Sequence, residues 1–164
     1  MENIGALSLL IAFCLAVFAV VAAVIGKYTR RPLLTVSAER AVYAVWVLVT
    51  TASAFLIYSL ISGDYRLAYV AAHSNKAMSA IYKFTAWWGG QEGSLLLWSW
   101  LLSTYSAIVV FTNRRKFREM MPLVTAIMMT VLAFFIGMIT FVASPFRVLM
   151  AGRGIVDVGD GNGL

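Results

Sequence analysis

Four apolar runs, each of about twenty residues and each bounded by charge, decide what this 164-residue chain can fold into. They fall at about 4–25, 41–61, 93–112 and 121–143. A helix needs about 20 apolar residues to cross the roughly 30 Å hydrocarbon core of a bilayer. In lipid, backbone N–H and C=O groups must find partners inside the protein, which leaves helices or closed barrels. The runs are continuous and lack the alternating ten-residue pattern of a barrel strand, so the barrel is excluded. Composition agrees: 62% of residues are hydrophobic, against about 45–50% in a soluble domain. The expected fold is all-α and integral to the membrane, with four transmembrane helices.

The basic residues set the expected orientation. Of 13 Lys and Arg residues, eight flank the two short connections: Lys27, Arg30, Arg31 and Arg40, then Arg114, Arg115, Lys116 and Arg118. Five lie on the other side: Arg66, Lys76, Lys83, Arg147 and Arg153. Positive residues concentrate in short cytoplasmic loops, so both termini are expected outside, on the periplasmic side of a bacterial inner membrane. The charges flank spans instead of forming one patch, so nucleic acid is not an expected partner, while membrane lipid is. Glu2 precedes the first run and no basic residue does, so a retained helix is favoured over a cleaved signal peptide. A long outer loop, 63–88, joins spans two and three and is expected to be partly helical. In it Val70, Met78, Ile81, Phe84 and Trp88 can share an apolar face at helical spacing. Tyr65, Tyr69, Tyr82, Trp87 and Trp88 suit an aromatic belt at headgroup depth.

The densest chemistry is in the run Trp87-Trp88-Gly89-Gly90-Gln91-Glu92-Gly93-Ser94-Leu95-Leu96-Leu97-Trp98-Ser99-Trp100. A carboxylate at the mouth of an apolar helix is costly and normally faces protein, water or ligand. Glu92 is therefore a candidate proton-handling or ligand-contacting group, or else an interfacial acid paired with Lys83 or Lys76. Trp88, Glu92, Leu95 and Ser99 share one helical face; Gln91, Ser94, Trp98 and Tyr105 share the next. The Gly89/Gly93 spacing fits close helix packing or contact with a cofactor. His73, the single histidine, is a candidate haem-iron ligand or an ordinary surface histidine. Cys14 has no disulfide partner and reads as a small core residue. No metal-ligand cluster, catalytic triad or phosphate-binding loop is present, and no catalytic residue is assigned.

The segment Trp88 to Trp98 resembles a signature of the CcmF-type cytochrome c haem lyase family (CcmF/NrfE/CcsA), in its N-terminal portion. Tyr69-Val70-Ala71-Ala72-His73-Ser74-Asn75 resembles the family's lead-in. Ser144-Pro145-Phe146 resembles an Asn-Pro-Phe motif, and Asp160-Gly161-Asn162-Gly163-Leu164 the start of a loop. The resemblance implies cytochrome c-type biogenesis, with haem as cofactor. It implies other maturation subunits, a haem chaperone and apocytochrome c as partners. The family's tryptophan-rich haem domain and downstream histidines are absent here. The chain is therefore expected to be an N-terminal scaffold, truncated or a split subunit, inactive as a lyase alone. Trp88, Gln91, Glu92, Trp98 and His73 are its candidate cofactor contacts. Two alternatives stay open: a quinone- or proton-coupled transport or redox subunit, and a ligand-free four-helix scaffold.

Overall fold

A computed structural model of the chain describes residues 2–114, 116–148, 150–151 and 154–155. Arg115 and Arg153 of the charge count, and the Asp160 to Leu164 stretch, lie outside the described residues. The described elements are α1 (Glu2–Tyr28), α2 (Pro32–Ser62), α3 (Ala68–His73), α4 (Ala80–Thr85) and a 3₁₀ turn (Ala86–Trp88). They continue with α5 (Gln91–Asn113) and α6 (Met121–Gly137), which is followed directly by a π-helical turn, Met138–Val142. Two-residue strands β1 (Met150–Ala151) and β2 (Gly154–Ile155) pair antiparallel. Four helices are long and apolar enough to cross a membrane, and large apolar residues such as Leu7, Phe18, Val47 and Phe134 face outward from them.

The helices form an up-and-down ring in which α1 packs against α2 and α6, and α5 packs against both of these. Leu9, Ala12, Ala16, Ala19 and Ala23 make a buried stripe on α1, opposed by Val42, Val45, Val49, Ala52 and Leu56 on α2. Both follow the alternating three- and four-residue spacing of left-handed helix packing. Alanine at the contact lets the two backbones approach closely where lipid offers no hydrophobic drive. Cys14 sits off this stripe and is exposed, correcting the expectation of a core position. The α1–α2 turn is tight: Arg30 takes φ 54°, and Gly26 lies against the Thr35 backbone and side chain.

The buried face of α5 sets small and polar residues, Gly93, Ser99, Ser103, Ser106 and Ala107, between the apolar Leu96 and Val110. The serine hydroxyls donate back to carbonyls of the preceding turn, as Ser106 does to Leu102 at 2.8 Å, so no hydroxyl there needs water. Two indole–hydroxyl bonds tie α5 to α2: Trp46 Nε1 donates to Thr104 Oγ1 (3.1 Å) and Trp100 Nε1 to Thr50 Oγ1 (3.2 Å). The offsets mirror each other because the helices run antiparallel.

Span two differs from its expected bounds. It starts at Pro32, not at 41, and runs 31 residues, ~46 Å at 1.5 Å per residue, well beyond the hydrocarbon thickness. Proline at the first helical position is pre-set for a helix start. The polar Thr35, Ser37, Glu39 and Arg40 form its first turns, so Arg40 is helical and not in a loop.

Candidate functional site

The loop from Gly63 to Gly90 folds around one side chain. Tyr69, on α3, is 4% exposed. Its hydroxyl donates to the Ala86 carbonyl at 2.8 Å, sits 3.2 Å from the Trp87 carbonyl, and accepts the Gly90 N–H at 3.1 Å. The 3₁₀ turn and the entry to α5 are thus closed by a phenol held inside the protein. Burial pushes the Tyr69 phenol up to about 12; the Gly90 amide opposes that rise and the Glu92 carboxylate adds to it.

The ring of His73 stacks on Tyr69 with centroids 4.3 Å apart and planes 22° from parallel. Its Nδ1 lies 3.0 Å from the Tyr69 carbonyl oxygen. A carbonyl can only accept, so Nδ1 carries the proton. Nε2 packs against Gly90, where an added Cβ would overlap it. At Gly93 an added Cβ would overlap the Trp87 carbonyl oxygen and the Tyr69 hydroxyl. At Gly89 it would make only ordinary contact, 3.5 Å from Ala86. The spacing that matters is therefore Gly90 and Gly93 under Tyr69 and His73, not the Gly89/Gly93 pair of a helix–helix motif.

Beside this core lies a cavity of about 420 Å³ lined by Tyr69, His73, Gln91, Glu92, Ser144 and Arg147, among others. Three sequence candidates meet here: His73, Gln91 and Glu92. Trp88 and Trp98 do not. Trp88 is exposed and sits edge-on to Phe84 at 5.6 Å, and Trp98 is 62% exposed about two turns along α5 from Gln91, outside the cavity lining. Trp88 precedes the helix, since Gly89 and Gly90 separate it from α5, so it shares no α5 face with Glu92. Arg147 and Ser144 were missed as site residues. They arrive because the chain after α6 doubles back: Ala68 N–H donates to the Arg147 carbonyl at 2.9 Å, and Leu67 bridges Val148. Phe146 anchors this return, buried with its ring filling the space over Gly5 of α1. That gives the Ser-Pro-Phe stretch a local physical role.

The loop also corrects two expectations. It is not one amphipathic surface helix: Ser74–Ser79 interrupts it, with Asn75 Oδ1 accepting the Met78 N–H at 2.9 Å. Val70 is buried while Ile81 is exposed, so they share no face. Nor do its aromatics form one belt, since Tyr65, Tyr69 and Trp87 are buried within the protein and only Tyr82 and Trp88 face outward. At the loop's start Asp64 forms a fork with Arg66 (2.8 and 3.0 Å), and that hydrogen-bonded pairing lowers its carboxyl from the usual range.

A helical bundle of four membrane-length spans, with a polar cavity at one end, defines a multi-pass α-helical membrane protein. Within that class the chain is a homologue of the amino-terminal part of the CcmF/NrfE cytochrome c-type biogenesis proteins. Cytochrome c-type biogenesis protein NrfE of Haemophilus influenzae is 32% identical over 146 residues, 89% of this chain and 23% of that protein. Cytochrome c-type biogenesis protein CcmF of Pseudomonas fluorescens is 31% identical over 144 residues, 88% of this chain and 22% of its own length. The chain thus spans 22–23% of the length of these relatives. No family model matches it. The solved structure of "Cytochrome c Heme Lyase CcmF" superposes with a TM-score of 0.83 over 92% of this chain and 25% of that one, at 24% identity. That likeness bears on the fold.

Proposed function

We propose that the chain is the N-terminal scaffold of a cytochrome c haem lyase, presenting its loop end on the periplasmic face of a bacterial inner membrane. The observation that carries this reading is the match to proteins named for cytochrome c-type biogenesis along most of the chain. Sidedness follows the charges: Lys27, Arg30, Arg31, Arg114, Lys116 and Arg118 cluster at the opposite end. Haem chaperone and apocytochrome c would then meet the loop end, together with other maturation subunits.

Haem is the cofactor that this function implies, and the side chains described here do not fit its iron. His73 is the one histidine; its Nδ1 faces the Tyr69 carbonyl, and its Nε2 lies close over Gly90, where a Cβ would overlap it. The cavity is at the small end of ligand sites. In our reading iron ligation falls to other segments of the assembly, and His73 acts as a positioning residue that locks Tyr69. Gln91 and Glu92, with Arg147, form one wall of a site that those segments complete. Trp88 and Trp98, both outward-facing, contact the added helices or the edge of the haem they hold.

The test is complementation in cells lacking their own lyase. The chain co-expressed with the remaining three-quarters of a CcmF-type protein should restore haem-stained cytochrome c, and neither piece alone should do so. If both pieces insert stably and no holocytochrome appears, the proposal fails.

A further inference from the structure

At the end opposite the loop, a second cavity of about 950 Å³ opens between α2, the α5–α6 connection and the start of α6. Arg114 and Arg118 form one wall, Glu39 another, and Val36 and Pro122 give it an apolar edge. Among the described residues neither arginine lies within ion-pair distance of a carboxylate. The guanidinium groups therefore face the cavity with donor capacity to spare. A guanidinium presents a rigid fork of N–H donors that matches phosphate oxygens in pairs.

We propose that this cavity binds the phosphodiester headgroup of an anionic phospholipid. Three observations select that ligand. The cavity lies at the ends of membrane-length helices, where α2 extends past the hydrocarbon thickness, and so at headgroup depth. Two arginines against one glutamate leave the lining with a single net positive charge. That balance suits a phosphodiester, which carries one negative charge, better than a phosphate monoester, whose charge at neutral pH is about −1.5 to −2. The apolar edge at Val36 and Pro122 suits the glycerol and acyl attachment of a lipid and offers nothing to a soluble anion. Glu39 faces the arginines and disfavours a second negative charge.

The experiment uses the 164-residue chain in nanodiscs of mixed phosphatidylglycerol and phosphatidylcholine, released for native mass spectrometry. The wild type should retain phosphatidylglycerol selectively. Arg114→Gln with Arg118→Gln should reduce that occupancy on the order of 30-fold, from two basic contacts at the membrane surface. Arg114→Lys with Arg118→Lys keeps the charges and serves as the fold-preserving companion. It should retain an intermediate amount, because the paired donor geometry is lost. Equal retention by wild type and the Gln variant, or equal retention of the two lipids, overturns the proposal. So does displacement of bound lipid by millimolar inorganic phosphate, which would assign the site to a soluble anion.

Discussion

The two ends of the bundle are built on opposite principles. At the loop end the polar groups turn inward: one phenol serves two carbonyls and one amide, one imidazole stacks on it, and two glycines make the room. At the arginine end the polar groups turn toward open space: Arg114, Arg118 and Glu39 line a cavity and close no hydrogen-bonded ring. Membrane helices tolerate both arrangements because water and headgroups reach only the ends. The difference is in what substitution does. An inward polar cluster is weakened as a unit when one partner goes, since a buried group left behind, such as the Gly90 amide, loses the partner it had. An outward cluster loses little on its own account.

The largest effect is expected at Gly93. Adding one methyl drives Cβ into the Trp87 carbonyl oxygen and the Tyr69 hydroxyl, and neither is the free end of a flexible side chain. Gly93→Ala should cost about 3 kcal/mol or more, from overpacking and the broken Tyr69 bonds. Glycine to alanine in a helix ordinarily gains up to about 1 kcal/mol, so the sign is diagnostic. Gly89→Ala is the control, expected within ~0.5 kcal/mol. Unfolding in mixed micelles followed by tryptophan emission compares them, and equal effects would remove the inward cluster from the account.

Tyr69→Phe comes next. It leaves the Gly90 amide without its partner and the Ala86 carbonyl with the Gly89 N–H alone, a loss of about 1–3 kcal/mol. The same residue gives a pH signature. An unfolded tyrosine ionises near 10, whereas Tyr69 holds its proton up to about 12. Between those values the unfolded chain binds fewer protons than the folded one, so stability falls as pH rises. Its contribution is fully present below pH ~10. Melting across pH 9 to 12 should therefore steepen in the wild type relative to Tyr69→Phe. Parallel curves would mean the phenol is open to water.

This asymmetry also explains what the sequence could disclose. Long hydrophobic runs announce a span whatever the rest of the chain does, so four helices were legible. The start of α2 was not, because Thr35, Ser37, Glu39 and Arg40 lower the local hydropathy although they stay helical. The break in the 63–90 loop had a readable signal in Ser74-Asn75, since an asparagine side chain can close its own turn. Tyr69 had none. A tyrosine near a membrane boundary reads as interfacial, and its burial depends on carbonyls 17 and 18 residues away. Arg147 reaches the cavity only because the backbone past α6 pairs with residues 67 and 68. Gln91 and Glu92 stood out as candidates because they sit within an unusual run, and His73 because it is the single histidine; these three line the cavity, whereas Trp88 and Trp98 of the same run do not.

Between the two ends, α2 and α5 are joined by indole–hydroxyl bonds, and here the expected effects are smaller. A double-mutant cycle of Trp100→Phe and Thr50→Ala isolates the pair from the packing each residue also loses. Interhelical hydrogen bonds in membranes average about 0.6 kcal/mol, because the unfolded helices find other partners in the bilayer. The Trp100–Thr50 coupling should fall near that value. Trp87 offers the contrast, since its Nε1 is buried with no hydrogen-bond partner among the described residues while its ring packs edge-on against Trp100. A Trp87→Phe cycle with Thr50→Ala should show weaker coupling, carried only through the shared Trp100 ring.

The smallest effect is expected at Glu39, and it decides whether the two ends differ in kind. Glu39 is the half-buried carboxylate of the arginine end, and in many proteins removing such a charge is expensive because it strands a cation. Here Arg114 and Arg118 are already outside ion-pair range and exposed to the cavity. Water or a lipid phosphate can satisfy them without it. Exposed pairs seldom contribute more than about 1 kcal/mol, and this geometry is looser than a pair, so Glu39→Gln should change stability by no more than ~0.5 kcal/mol. The same substitution removes the negative charge that limits the cavity to a monoanion. It should therefore raise anion binding while leaving the melt unmoved. A destabilisation matching that of Tyr69→Phe would show instead that Glu39 holds the arginines in place, and that the arginine end is as tightly interdependent as the loop end.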